Sequence, residues 1–142
     1  MSIKVYVPRE ATARSLGADA VAGSIAAEAA RRGEAVELIR SGSRGLFWLE
    51  PLVEVASDSN PLGNRIGYGP VQVRDVPELF ASGFLQGGTH RLSQGAMGSI
   101  EYLKRQERLT CGRLGLIDPV NLDEFLAPSL NLLGENRLEP RI

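Results

Sequence analysis

The chain has 142 residues, 43% of them hydrophobic and 23% charged, with a formal net charge of −1. That length suits one ordinary domain with a real core, and the near-neutral balance excludes a general basic surface for nucleic acid or an acidic membrane. A single cysteine, Cys111, excludes an intramolecular disulfide and any cluster held by four cysteines of this chain.

No charged-then-apolar leader precedes the first strand pattern at Ile3. The longest apolar runs fall short of the roughly 18 residues that span a bilayer, so a soluble cytoplasmic protein is expected. Of the 16 basic residues all but Lys4 and Lys104 are arginine. Arginine suits bidentate contacts to carboxylates or phosphates, although the coding bias of a GC-rich genome explains the skew more simply.

In chain order, Ile3-Lys-Val-Tyr-Val7 alternates and is β-branched, which predicts a strand closed by Pro8. From Leu16 to Arg32 the period lengthens: Leu16, Ala20, Val21, Ile25 and Ala29 recur at helical steps, and Gly33 supplies a left-handed stop. Val36–Ile39 is a second strand, giving a βαβ unit with parallel pairing as the default. Leu52–Val55 and Arg65–Gly69 are short strands whose connector, Ser57–Asn64, is dense in turn formers and predicts a hairpin. Asp75-Val-Pro-Glu78 pairs a capping residue with a glutamate three positions on, and predicts a short helix to about Ala81 with a stop at Gly83.

The second half is less regular. Phe84–Gly98 is expected to be irregular, glycine-rich surface. Ser99–Thr110 places Ile100, Leu103 and Leu109 on one side of a charged helix. Cys111–Ile117 is a candidate strand, Asp118-Pro119 a turn, and Asn121–Glu124 a capping pattern for a helix to Ala127. Fraying is expected from Pro128 onward. This order predicts an α/β fold with helices flanking a mixed sheet, thioredoxin-like, with a ferredoxin-like split βαβ as the alternative.

Little of the chemistry stands out. His90 is the only histidine, so no two-histidine metal site can form within one chain, and a solvated loop residue is expected. Cys111 is expected to be a small apolar core filler rather than a reactive thiol. Gly42-Ser-Arg-Gly45 and Gly95-Ala-Met-Gly98 lack the Lys-Ser/Thr ending of a P-loop and do not make a dinucleotide fingerprint. Gly45 is expected to let the chain turn. Glu50 and Glu54, four apart, are expected to lie on a solvated strand edge. Phe47 and Trp48, beside the Arg44 turn, are either core packing or an anchor for another chain.

The stretches Val5–Arg9, Leu16–Val21, Ala30–Gly33, Arg40–Val55 and Tyr68–Pro70 together resemble a known region. It is the N-terminal part of the beta (flavoprotein) subunit of soluble molybdenum- or tungsten-dependent, NAD-linked formate dehydrogenases. The resemblance continues through Asp75–Pro77, Gly87-Gly88, Tyr102-Leu103, Gln106–Thr110 and Gly115–Pro119, and covers about residues 3 to 127. It implies the thioredoxin-like architecture of 2Fe–2S ferredoxin type found in respiratory complex I. In the cluster-bearing relatives, cysteine pairs follow the first strand and precede the position of Glu50-Pro51. Here those places hold Pro8–Ala13 and Ser43–Phe47, without cysteine, which implies a degenerate domain that carries no cluster.

The resemblance therefore implies three parts: a thioredoxin-like domain over 1–83, a connector over 84–127 toward an absent flavoprotein domain, and a divergent tail over 128–142. It implies a truncated, split or excised piece, with no catalytic, cofactor or metal residue of its own. FMN, NAD and iron–sulfur clusters are expected in the rest of the parent complex, which moves electrons from formate to NAD⁺. The expected partners are the alpha (molybdenum or tungsten) and gamma (2Fe–2S) subunits, met through Arg44, Phe47 and Trp48. The alternative is a stand-alone thioredoxin-like enzyme handling thiols or phosphate, which needs a reactive Cys111.

Overall fold

A computed structural model describes residues 2–56, 65–107 and 113–126. Strand β1 (Ile3–Tyr6) is followed by helices α1 (Ala11–Ser15) and α2 (Ala18–Arg32), then β2 (Val36–Ile39), β3 (Val53–Val55) and β4 (Ile66–Tyr68). Helix α3 (Val76–Ala81), strand β5 (Ser93–Ala96) and helices α4 (Glu101–Lys104) and α5 (Leu122–Leu126) complete the order. The five strands form one mixed sheet in the order β2-β1-β3-β4-β5. Only β1 and β2 run parallel, with Ile3 opposite Val36 and Tyr6 opposite Ile39; β3, β4 and β5 pair antiparallel in turn. The chain is thus α/β, with a mixed sheet and flanking helices.

The two-residue period of the strands sorts their side chains onto two faces. Val5, Val7, Val53, Val55 and Tyr68 belong to the main core, where they meet Val21 and Ile25 of α2 and Val76 and Leu79 of α3. Helix α2 buries Ala18, Val21, Ala22, Ile25 and Ala29, one stripe at helical spacing. Its alanines bring the helix close to the sheet, and Gly33 ends it at φ 71°. The opposite face carries a smaller cluster of Leu46, Leu49, Leu52 and Met97, with Ile100 and Leu103 packed against it.

Several expectations change. Helix α1 is an addition: the Glu10 carboxylate caps it, accepting from Thr12 N and Ala13 N at 2.7 Å each. At α3, Asp75 is buried and completes a capping box that opens at Gln72, one turn earlier than expected. Phe84–Gly98 is not irregular surface. Phe84, Leu85, Leu92 and Met97 are buried there, and β5 joins β4 across a register shift at Gly67/Tyr68. The part of the candidate strand 111–117 that is described, 113–117, is a turn through Gly115 at φ 80°. The hairpin connector 57–64, Leu109, Cys111 and the tail from 127 lie outside the described residues. Among the described residues no helix is long and apolar enough to cross a membrane.

The loop before β5 is fixed by Tyr68, whose hydroxyl donates to Gly88 O at 2.7 Å. A β-carbon on Gly88 would collide with the carbonyl oxygens of Ser82 and Gly83, which are backbone and cannot swing aside. Gly88→Ala is expected to lower stability by about 1–3 kcal/mol, the range for overpacking a close-packed site. Urea unfolding checks this; an unchanged midpoint would show that the loop has room.

A candidate docking surface over a buried ion network

The carboxyl ends of the two parallel strands lead into two adjacent loops, 7–10 after β1 and 40–46 after β2. This is where α/β sheets commonly gather their functional groups. Arg9 N donates to Ser41 O at 2.9 Å and Ser41 N to Val7 O at 3.2 Å, so the loops are tied to each other. Arg40 reaches Pro8 O at 3.2 Å and pairs with Asp19 at the start of α2. Hydrogen bonds from Arg40 and Arg14 hold the Asp19 carboxyl below its usual range.

The second loop turns at Gly45, φ 82°, as its sequence predicts. Ser43 Oγ accepts from Gly45 N at 3.0 Å and donates to Glu50 Oε1 at 3.1 Å. Leu46 and Leu49 then turn inward, while Phe47 and Trp48 of the intervening 3-10 turn stand 54% and 59% exposed. Trp48 meets Tyr102 of α4 edge to face, with ring centroids 5.2 Å apart. Tyr102 is itself 48% exposed, so its ring and that of Trp48 make an exposed apolar pair, and the buried Leu46 and Leu49 hold the turn that carries Phe47 and Trp48.

Arg44 does not share that exposure. Its guanidinium is turned inward onto Glu54, with Nη2 donating to Oε2 at 2.8 Å and Nε to Oε1. Only 14% of its side chain is exposed, against 4% for Glu54. Arg65 approaches Glu54 from the other side, with Nη1 at 3.4 Å from Oε2. The Arg65 guanidinium lies 3.4 Å from the centre of the Tyr6 ring, a cation–π stack. Burial pushes its pKa below the ordinary arginine value, and the charge of Glu54 opposes that.

The expected solvated edge of carboxylates is therefore wrong on both counts, since Glu50 and Glu54 are each 3% exposed. Glu54 points to the second face of the sheet, between Tyr6 and Gly67 on the neighbouring strands. The two arginines, with Gly115 and Leu116 against them, cover Glu54, so the alternation of β3 marks two covered sides rather than one wet one. Glu50 Oε2 accepts from Leu52 N at 2.9 Å, and burial raises its pKa.

His90 is also not solvated. Only 3% of its side chain is exposed, and Nδ1 accepts from Leu92 N at 3.2 Å. The proton of a neutral ring then sits on Nε2, which faces Glu78 Oε1 at 3.5 Å without a hydrogen bond. A metal-bound histidine normally donates from its other nitrogen, so this ring is set up against ligation. Among the described residues no three or more His, Cys, Asp or Glu side chains are grouped to hold a metal. Of the glycine pairs, Gly95 serves β5 at φ 71° and Met97 beside it is buried.

Comparison with known proteins returns no matching protein-family model and no matching curated protein. The loop pairing and the Arg44–Glu54–Arg65 network were not legible in the sequence. The only available sign was an acidic residue at the centre of a three-residue strand flanked by arginines at a distance along the chain.

Two outcomes follow from the buried carboxylates. Glu54→Leu leaves two arginines facing each other and is expected to cost about 3–5 kcal/mol in urea unfolding; a loss below about 1 kcal/mol would mean that water already screens the pair. Glu50 has a folded pKa above its unfolded one, so ionising it weakens the fold as pH rises from the unfolded carboxyl value to the raised one. Glu50→Gln lacks that penalty. The stability advantage of the parent over Glu50→Gln is expected to shrink as pH rises above the ordinary carboxyl value, and an advantage that grows with pH would reverse the assignment.

Proposed function

We propose that the chain is a non-catalytic docking domain of thioredoxin-like architecture. In this reading it belongs to the N-terminal region of the beta subunit of a cytoplasmic NAD-dependent formate dehydrogenase. The observation that carries it is the exposed pair Phe47 and Trp48, presented by the loop that occupies the position of a cluster-binding loop in the resembling family. The strand order, with one parallel βαβ unit followed by an antiparallel pair, is compatible with that architecture.

In physical terms the loop offers a hot spot of the usual composition. A tryptophan loses few degrees of freedom on binding and buries a large apolar face. Here Leu46 and Leu49 already fix the backbone beneath it, which lowers the ordering cost that association must meet. Arg44, committed to Glu54, positions the loop rather than reaching out from it. The partner surfaces are those of the alpha subunit, which bears molybdenum or tungsten, and the gamma subunit, which bears a 2Fe–2S cluster. FMN, NAD and the remaining clusters belong to the rest of the complex, and this chain contributes no step of electron transfer.

Pull-down with separately expressed alpha and gamma subunits tests the reading, with a visible absorption spectrum of the purified chain. A colourless protein that binds one subunit is expected, and Trp48→Ala is expected to weaken binding by about 2 kcal/mol, or roughly thirtyfold. No binding to either subunit, or a brown protein containing iron and labile sulfide, would refute it.

A further inference from the structure

Among the described residues the buried acids Glu54 and Asp75 are each paired with arginine, but no arginine or lysine pairs with the buried Glu50. Its carboxyl instead spans a loop. Oε1 accepts from Ser43 Oγ at 3.1 Å and Oε2 from Leu52 N at 2.9 Å, and these partners lie at the two ends of the segment that carries Phe47 and Trp48. Ser43 Oγ also accepts from Gly45 N at 3.0 Å, and Glu50 N donates to Phe47 O at 3.3 Å, so the tie reaches the turn itself. The charges that face the carboxyl from the neighbouring elements are of its own sign: Glu10 at the cap of α1 and Glu54 on β3. Arg44, the cation of the same loop, is committed to Glu54.

We propose that Glu50 is a pH-sensitive latch, whose carboxyl holds the loop 43–52 closed while it carries its proton and releases the loop once ionised. A protonated carboxyl is neutral, and it can donate to Ser43 Oγ from one oxygen while the other accepts from Leu52 N. An ionised one is a charge out of water, met by one hydroxyl and one amide but by no cation, which is costly. Lifting the loop returns the charge to water without breaking strand pairing, since β3 begins at Val53. Burial first, and then the charges of Glu10 and Glu54, raise the pKa of the closed form. The proton's contribution to closure is therefore full below the ordinary carboxyl value and is lost as pH rises to the raised one. Burial of Leu46 and Leu49 also favours closure, so the latch sets how often the loop opens rather than whether the chain folds. Its role in docking rests on the reading of Phe47 and Trp48 proposed above; the latch itself needs no partner.

Trp48 is the only tryptophan of the chain, so its fluorescence reports on this loop. Acrylamide quenching of the full-length parent is expected to increase as pH rises above the ordinary carboxyl value. Glu50→Gln keeps a donor and an acceptor but cannot ionise, and its quenching is expected to stay flat. Glu10→Gln removes one facing charge and is expected to keep the response but reduce its extent. Hydrogen exchange gives the magnitude. The ratio of parent to Glu50→Gln rates at the amides of Gly45, Leu49 and Leu52, taken at each pH so that intrinsic exchange cancels, is expected to rise by up to about tenfold per pH unit, the slope for one proton. Those amides are expected to exchange about tenfold or more ahead of the amides of β1 and β3. Parent quenching that is the same at every pH, a Glu50→Gln chain that responds as the parent does, or loop amides that exchange only together with the sheet would each overturn the proposal. Neither readout involves a partner, so this failure is distinct from a failure to bind the alpha or gamma subunit.

Discussion

Glu54 sits at the centre of β3, which is itself the central strand, and the second face of the sheet is organised around its charge. A lone carboxylate there would be costly to bury. Arg44 and Arg65 offset that cost from two sides, and Tyr6 stacks beneath Arg65. The net charge of this triad is positive, and the surplus is met by the carbonyls of Gly115 and Leu116. One strand residue thus determines where the loop after β2 must lie, how β4 begins and where the chain returns after α4.

A consequence is that the two faces of the sheet are held by different forces. The helical face is held by apolar burial, which is non-directional and tolerates volume-conserving exchange. The other face divides into a leucine and methionine cluster and a polar network whose geometry is specific. Buried ion networks are weak evidence for net stability but contribute direction. Here the direction is that Arg44 draws its loop down on one side, while Leu46 and Leu49 hold it on the other and leave Phe47 and Trp48 outside.

How much of this the sequence made legible follows from the same division. The apolar face was readable: α2 announced itself by spacing, β1 and β2 by branched residues, and β3 and β4 by alternation. The polar face was not. Glu50 and Glu54 look like solvated residues because nothing local marks their side-chain partners, which lie between 7 and 11 positions away. β5 was missed because Ser-Gln-Gly-Ala has no alternation of its own. It pairs through backbone at the sheet edge, and Gln94 bridges the register shift by donating to Gly69 O and Leu92 O. His90 was misplaced because a glycine-rich flank suggests a loop in water, whereas Tyr68 and α3 draw that loop inward.

Gly67 lies opposite Glu54 on β4, and the space its missing side chain leaves is filled by the Met97 thioether. Met97 shares its cluster with Leu46 and Leu49, which flank Phe47 and Trp48, and with Leu103, which follows Tyr102. The exposed rings are therefore connected through one flexible thioether to a buried position on the sheet. Substitutions at Gly67 and at Trp48 share that intermediary, so their energies should not add. The surface rings and the strand beneath them form one unit of sequence variation, in which a change at either end alters which residues the other end accepts.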